Sequence, residues 1–166
     1  MRILAALALS ATIAVTADAR GAPEPRTFAG PDAEQRHCVF VEKCRPCMVE
    51  RVVDGDTIEL SCSTPSQWDR LTLRLAGIDA PEKGTAAKCD QERRLAASAT
   101  IHLAAKLPSG TWLDVISMGK DRHGRTIGVA RLDDRDIGAD LVWAGHAKPW
   151  AINTPRPTWC DTTTGR

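Results

Sequence analysis

Polar and apolar residues alternate over 57–61, and Met48, Val49, Val52 and Val53 make 48–53 a second strand candidate across Asp54-Gly55-Asp56. That two-residue period belongs to half-buried strands, and Asp-Gly between such runs is a strong hairpin signal. A third strand is predicted over 71–78, with Leu71, Leu73 and Leu75 on one face. The period then changes. Leu95, Ala99 and Leu103 recur at helical spacing up to Leu107, with Asp90 as N-cap, Gln91 and Glu92 in the first turn, and Pro108-Ser109-Gly110 as the stop. Residues 112–118 and 126–132 read as two more strands about a bend at Gly124, and 137–144 as a short helix with Gly145 at C′. Five short strands interrupted by a helix make an α+β domain with a meander, and periodicity alone goes no further.

The ends read differently. Residues 3–15 are almost wholly apolar or small, they follow Met1-Arg2, and Ala17-Asp18-Ala19 fits the small-x-small rule for signal cleavage. This run is shorter than the roughly 20 apolar residues that span a bilayer. Residues 1–19 are therefore expected to be a signal peptide cleaved after Ala19, not a retained anchor. The mature chain would be periplasmic or secreted, without stable membrane association. Residues 20–47 read as a Cys-containing leader, rich in Pro, Gly, Ala and charge up to about 36. Residues 48–152 then form one domain, expected to be monomeric, and 153–166 an irregular tail.

Net charge changes little: at +1 it gives no bulk attraction for nucleic acid. A local patch would have to supply it, from Lys120, Arg122, His123 and Arg125 with Arg93 and Arg94, against the alternative of a solvated face. The six cysteines, Cys38, Cys44, Cys47, Cys62, Cys89 and Cys160, say more. An even count behind an export signal reads as disulfides. A two-residue turn at Asp54-Gly55 sets Cys47 opposite Cys62, within bridging reach. Cys89 with Cys160 would staple the tail, leaving Cys38 with Cys44. The Cys44-Arg45-Pro46-Cys47 spacing, near His37 and Cys38, also allows zinc, but there is no second such knuckle.

Four stretches carry candidate chemistry: Asp54-Gly55-Asp56-Thr57, Leu73-Arg74-Leu75, Ile78-Asp79-Ala80-Pro81-Glu82 and Asp121-Arg122-His123-Gly124-Arg125. Asp56 and Asp79 stand at turns. Pro81 fixes the short spacer that lets Glu82 share a pocket with Asp79. Arg74 interrupts an apolar strand, where a permanent charge needs a partner, and Arg125 follows a glycine at a bend. Carboxylates of this kind suit a hard metal ion and an attacking water; guanidinium forks suit a phosphate gaining charge. Structural salt bridges are the alternative for each arginine.

In order and spacing these stretches resemble the staphylococcal nuclease (thermonuclease) family, from about residue 49 to 150. The resemblance implies a five-stranded OB-type β-barrel with packed helices. It implies a Ca²⁺ ion on Asp56, Asp79 and the backbone carbonyl of Ala80, where the family usually has Thr. It also implies a water handled by Glu82, a scissile phosphate gripped by Arg74 and Arg125, and DNA and RNA as substrates. The sequence departs from the family in having no tyrosine to cover a bound nucleotide, a role left to Arg122, His123 and Trp150. The last helix of the family is shortened or missing, and the cysteine-rich N-terminus is an addition. Trp143 is expected in the core and His102 to be structural. His146 is expected as a cation beside the helix end.

The sequence thus reads as an exported, Ca²⁺-dependent nuclease. A non-catalytic nucleic-acid-binding barrel and a disulfide-stapled binding protein are the alternatives.

Overall fold

The computed structural model describes residues 44–63 and 67–161. The expected signal peptide, most of the leader and Cys38 lie outside them. The chain forms β1 (Cys44–Asp54), β2 (Thr57–Ser63), β3 (Trp68–Leu75), β4 (Ile78–Asp79), α1 (Asp90–Lys106), β5 (Trp112–Lys120), β6 (Thr126–Leu132), β7 (Arg135–Asp136), α2 (Ile137–Trp143) and β8 (Lys148–Pro149). Strands β3, β2, β1, β5 and β6 pair in that order, antiparallel throughout. A short parallel pairing of β3 with β6, from Leu73–Thr126 to Leu75–Gly128, closes them into a five-stranded barrel. The fold is α+β and OB-like, as the resemblance implied.

Closure puts the alternating residues inside. Val49, Ile58, Leu60, Leu73, Leu113 and Val115 fill the barrel, and Leu103 of α1, Leu107 at its C-cap, and Ile137 and Leu141 of α2 join the same core. Burying one such side chain contributes about 1.5–3 kcal/mol. Helix α1 packs on β1, and α2 on β6.

Several expectations shift by a residue or more. The hairpin turn is Gly55-Asp56, not Asp54-Gly55. Cys47 nevertheless faces Cys62, because register shifts between Val49 and Arg51 and between Val52 and Asp54 absorb the offset. The two cysteines are bridged, with Cα atoms 4.0 Å apart, and Cys89 is bridged to Cys160. Cys47 is therefore no zinc ligand. Cys44 is not a free thiol, but Cys38, its expected partner, lies outside the described residues. Strand β1 begins at Cys44, so the last residues counted with the leader already pair with β5. The predicted third strand is broken after Leu75 by a turn in which Gly77 has φ +76°, a conformation glycine adopts freely.

Cys89, not Asp90, caps α1: its sulfur accepts from the Glu92 amide at 3.4 Å. Trp143 is 91% exposed, not in the core. It lies two residues beyond buried Leu141, about half a turn round the helix. His146 stacks on His102 with ring centroids 4.2 Å apart. Burial, and then His102, push its pKa down, opposite to the cation expected beside a helix end.

Candidate active site

The β1–β2 turn reaches the site because Gly55 has no side chain. A Cβ there would come within 2.8 Å of the Ala99 Cβ on α1 and 2.9 Å of the Ala80 Cβ. Next to it Asp56 is buried, 6% exposed. Its Oδ2 accepts from the Ala80 amide at 2.8 Å and its Oδ1 from the Thr57 hydroxyl at 3.1 Å. Arg74 answers its own need for a partner here, with Nη2 2.9 Å from Asp56 Oδ2. It also donates to the carbonyls of Leu75 at 3.0 Å and Ile78 at 3.2 Å. Burial drives the Asp56 carboxyl up to about 7; Arg74 pulls it down, and neighbouring Asp54 pushes it further up.

Asp79 is fully buried, and its partners come from a segment that sequence reasoning left aside. Arg156, in the tail, donates Nε to Asp79 Oδ1 at 2.7 Å and sets Nη2 in ion-pair contact with the same oxygen, while its Nη1 binds Glu82 Oε1. The indole N–H of Trp159 donates to Asp79 Oδ2 at 3.1 Å. Arg74 stands 3.7 Å from Oδ1. Desolvation lowers the Arg156 pKa, but its bonds to Glu82 and Asp79 outweigh that and raise it. Glu82 is held from below by a second unforeseen residue. Buried Glu92 on α1 accepts from the Glu82 amide at 3.2 Å and the Lys88 amide at 2.7 Å, which fixes the loop to the helix. The Arg156-x-x-Trp159-Cys160 run in a cysteine-pinned tail was the available signal. Nothing in it indicated which carboxylates it would meet.

Arg125 is on the turn between β5 and β6. Its guanidinium Nε and its amide bind the two oxygens of Asp121 at 2.7 and 2.9 Å, and the His123 amide shares Oδ1. Desolvation would raise the Asp121 pKa, but the Arg125 and His123 bonds together outweigh it and bring it below the usual value. Among the described residues no hydrogen bond or ion pair joins Arg125 to Asp56, Asp79 or Glu82. Exposed Arg122 donates to His123. His123, Lys120, Arg125 and Arg70 line an open cleft of about 300 Å³ along β3 and β6. Trp150 is turned toward the tail, its indole N–H on the Thr154 carbonyl at 3.1 Å.

The structure thus gathers Asp56, Arg74, Asp79 and Glu82, with the Ala80 amide, at one place beside β4, and leaves Arg125 on the neighbouring turn. The donor set suits a hard divalent cation: two buried carboxylates, Asp56 on the β1–β2 turn and Asp79 at the end of β4. Asp56, Asp79 and the Ala80 carbonyl are the groups that would hold such an ion.

A closed OB-like barrel with carboxylates and arginines clustered beside it defines a nuclease-type domain. The family model described as staphylococcal nuclease homologue matches residues 72–160, and the chain belongs to that family. The matched span contains Arg74, Asp79, Glu82 and Arg125, and also Arg156, Trp159 and Cys160; Asp56 precedes it. No curated protein matches the chain.

Proposed function

We propose that the protein is an exported, Ca²⁺-dependent nuclease that hydrolyses phosphodiester bonds in DNA and RNA. The observation that carries this reading is the assembly of Asp56, Arg74, Asp79 and Glu82 from three separate chain segments into one cluster. Bound on Asp56, Asp79 and the Ala80 carbonyl, Ca²⁺ would supply Lewis-acid polarisation of a phosphate oxygen. Glu82, half-buried and tied to α1 through Glu92, orients the attacking water and accepts its proton. Arg74 and Arg125 stabilise the charge that grows on the phosphate. Water displaces the 5′-oxygen, and the family resemblance implies 3′-phosphate ends. Arg122, His123 and Trp150 would contact the nucleotide at the rim.

The expected signal sequence and the two disulfides support export, to the periplasm or beyond. One observation favours the alternative of a binding-only barrel: Arg156 already neutralises Asp79 and Glu82. Plasmid DNA and an RNA oligonucleotide, incubated with the exported protein in Ca²⁺ or in excess chelator, decide between them. Cleavage in calcium alone is expected. Binding without cleavage would establish the alternative, and cleavage unaffected by chelator would remove calcium from the mechanism.

A further inference from the structure

We propose that Arg156 is the chain's own competitor for the cation of this site, and that the Cys89–Cys160 bridge keeps it there. The inference rests on the reading above that Asp79 helps to hold a divalent ion. A carboxylate oxygen offers about two lone pairs. On Asp79 Oδ1 one is taken by the Nε hydrogen bond of Arg156 at 2.7 Å, and the ion-paired Nη2 covers the same oxygen, while Oδ2 is bonded to Trp159 at 3.1 Å. Through Nη1 the same guanidinium holds Glu82, the residue assigned to the water. A divalent ion cannot take Asp79 Oδ1 as ligand while Arg156 covers it.

The two partners are not equally free to leave. Asp79's side chain is 1% exposed, Arg156's 41%. The arginine is the part that can swing into solvent, and its exchange with an ion is a two-state competition. The tail's other contacts hold it near. Lys148 donates to the Thr158 carbonyl at 2.6 Å and lies 4.3 Å over the Trp159 ring, and Gln91 and Asp161 exchange bonds at 3.1 and 3.3 Å. The bridge from Cys160 to Cys89, at the N-cap of α1, makes Arg156 an intramolecular ligand at high effective concentration. The apparent affinity for the ion is then reduced by the fraction of molecules whose arginine has let go.

Calorimetric titration of Ca²⁺ into the disulfide-intact full chain tests this, comparing wild type, Arg156→Gln and the double variant Cys89→Ser/Cys160→Ser. A minor open state of a few per cent predicts a Kd about tenfold or more lower for Arg156→Gln. The double variant, with Arg156 present but untethered, should show a smaller gain in the same direction. Unchanged or weaker binding by Arg156→Gln at the wild-type melting temperature would overturn the competition, since the arginine would then be organising the site. Should Arg156→Gln fold poorly, the double variant decides alone, and an unchanged Kd there rejects the proposal. Oligonucleotide cleavage at saturating calcium is read in parallel. Tighter binding by Arg156→Gln without cleavage by any of the proteins would sink the nuclease reading and leave the competition standing, whereas calcium binding by none of them overturns both.

Discussion

Asp56, on the β1–β2 turn, and Asp79, at the end of β4, meet burial differently. Asp79 receives one hydrogen bond and an ion pair from Arg156 and one hydrogen bond from Trp159. Asp56 has Arg74, one amide and one hydroxyl, and burial still drives its pKa up to about 7. The sign for stability follows. Unfolded, Asp56 titrates near its ordinary value of 3.8; folded, at about 7. Between those limits the native chain holds a proton that the unfolded chain has released, so rising pH costs stability over that window. Asp56→Asn removes the titration. In chelator, its stability relative to wild type is expected to climb from pH 4 to pH 8, read by urea midpoints. A flat difference would mean that Asp56 ionises without penalty. Asp56, Asp79 and Arg74 were legible in the sequence because turn residues and a charge within an apolar strand are local signals. Arg156 was not, because its meaning lies in carboxylates 77 and 74 residues away along the chain.

At the scale of elements, periodicity found the strands and helices but placed some of their ends wrongly. The hairpin shows why. Alternation and Asp-Gly locate it, yet the turn sits one residue later, and two register shifts in β1 restore the Cys47–Cys62 pairing. Bulges leave no mark in a hydrophobic pattern, because each only inserts a residue into one strand. Likewise 71–78 reads as one alternating strand, but the chain turns at Gly77, which brings β4 beside β8. The two bridges divide along the same line between core and periphery. In the chain-entropy model the Cys89–Cys160 loop, 71 residues, should stabilise more than the 15-residue Cys47–Cys62 loop, by about 4 against about 3 kcal/mol. But Cys47 and Cys62 are fully buried between barrel strands, whereas Cys160 ties down a largely exposed tail that can detach while the barrel stays folded. Replacing both members of each pair by Ala is therefore expected to reverse the order. Loss of Cys47–Cys62 should cost about 3 kcal/mol or more in urea unfolding. Loss of Cys89–Cys160 should cost less, and a larger cost there would mean that the tail unfolds only with the barrel.

For the whole molecule, closure of β3 on β6 decides which residues can act together. The parallel pairing sets Arg74 beside Ile127, and so brings the turn bearing Arg125 to the edge of the strand that carries Arg74. The spacing of the four stretches suggested this only through family resemblance, since no local pattern encodes a barrel closure. A chain of net charge +1 also has to recruit a polyanion locally, and the cleft with Arg70, Lys120, His123 and Arg125 runs along those same two strands. The arginines should then separate by role. Arg74 is half-buried and fixed by Asp56 and two carbonyls, and Arg125 is fixed by Asp121. Preorganised donors of this kind act on the transition state, and losing one typically costs about 10²–10³ in kcat. Arg74→Lys and Arg125→Lys are expected to show losses of that order with KM little changed, since an ammonium is a point charge without a planar fork. Arg122 is exposed on the turn, and among the described residues its side chain bonds only to His123. Arg122→Ala should leave kcat near wild type, raise KM and flatten the dependence of KM on salt, as loss of a rim phosphate contact does. Steady-state rates on a short oligonucleotide at two salt concentrations, with melting temperatures alongside, make the comparison. Near-normal kcat in both lysine variants on folded protein would make Arg74 and Arg125 the structural partners of Asp56 and Asp121 and nothing more.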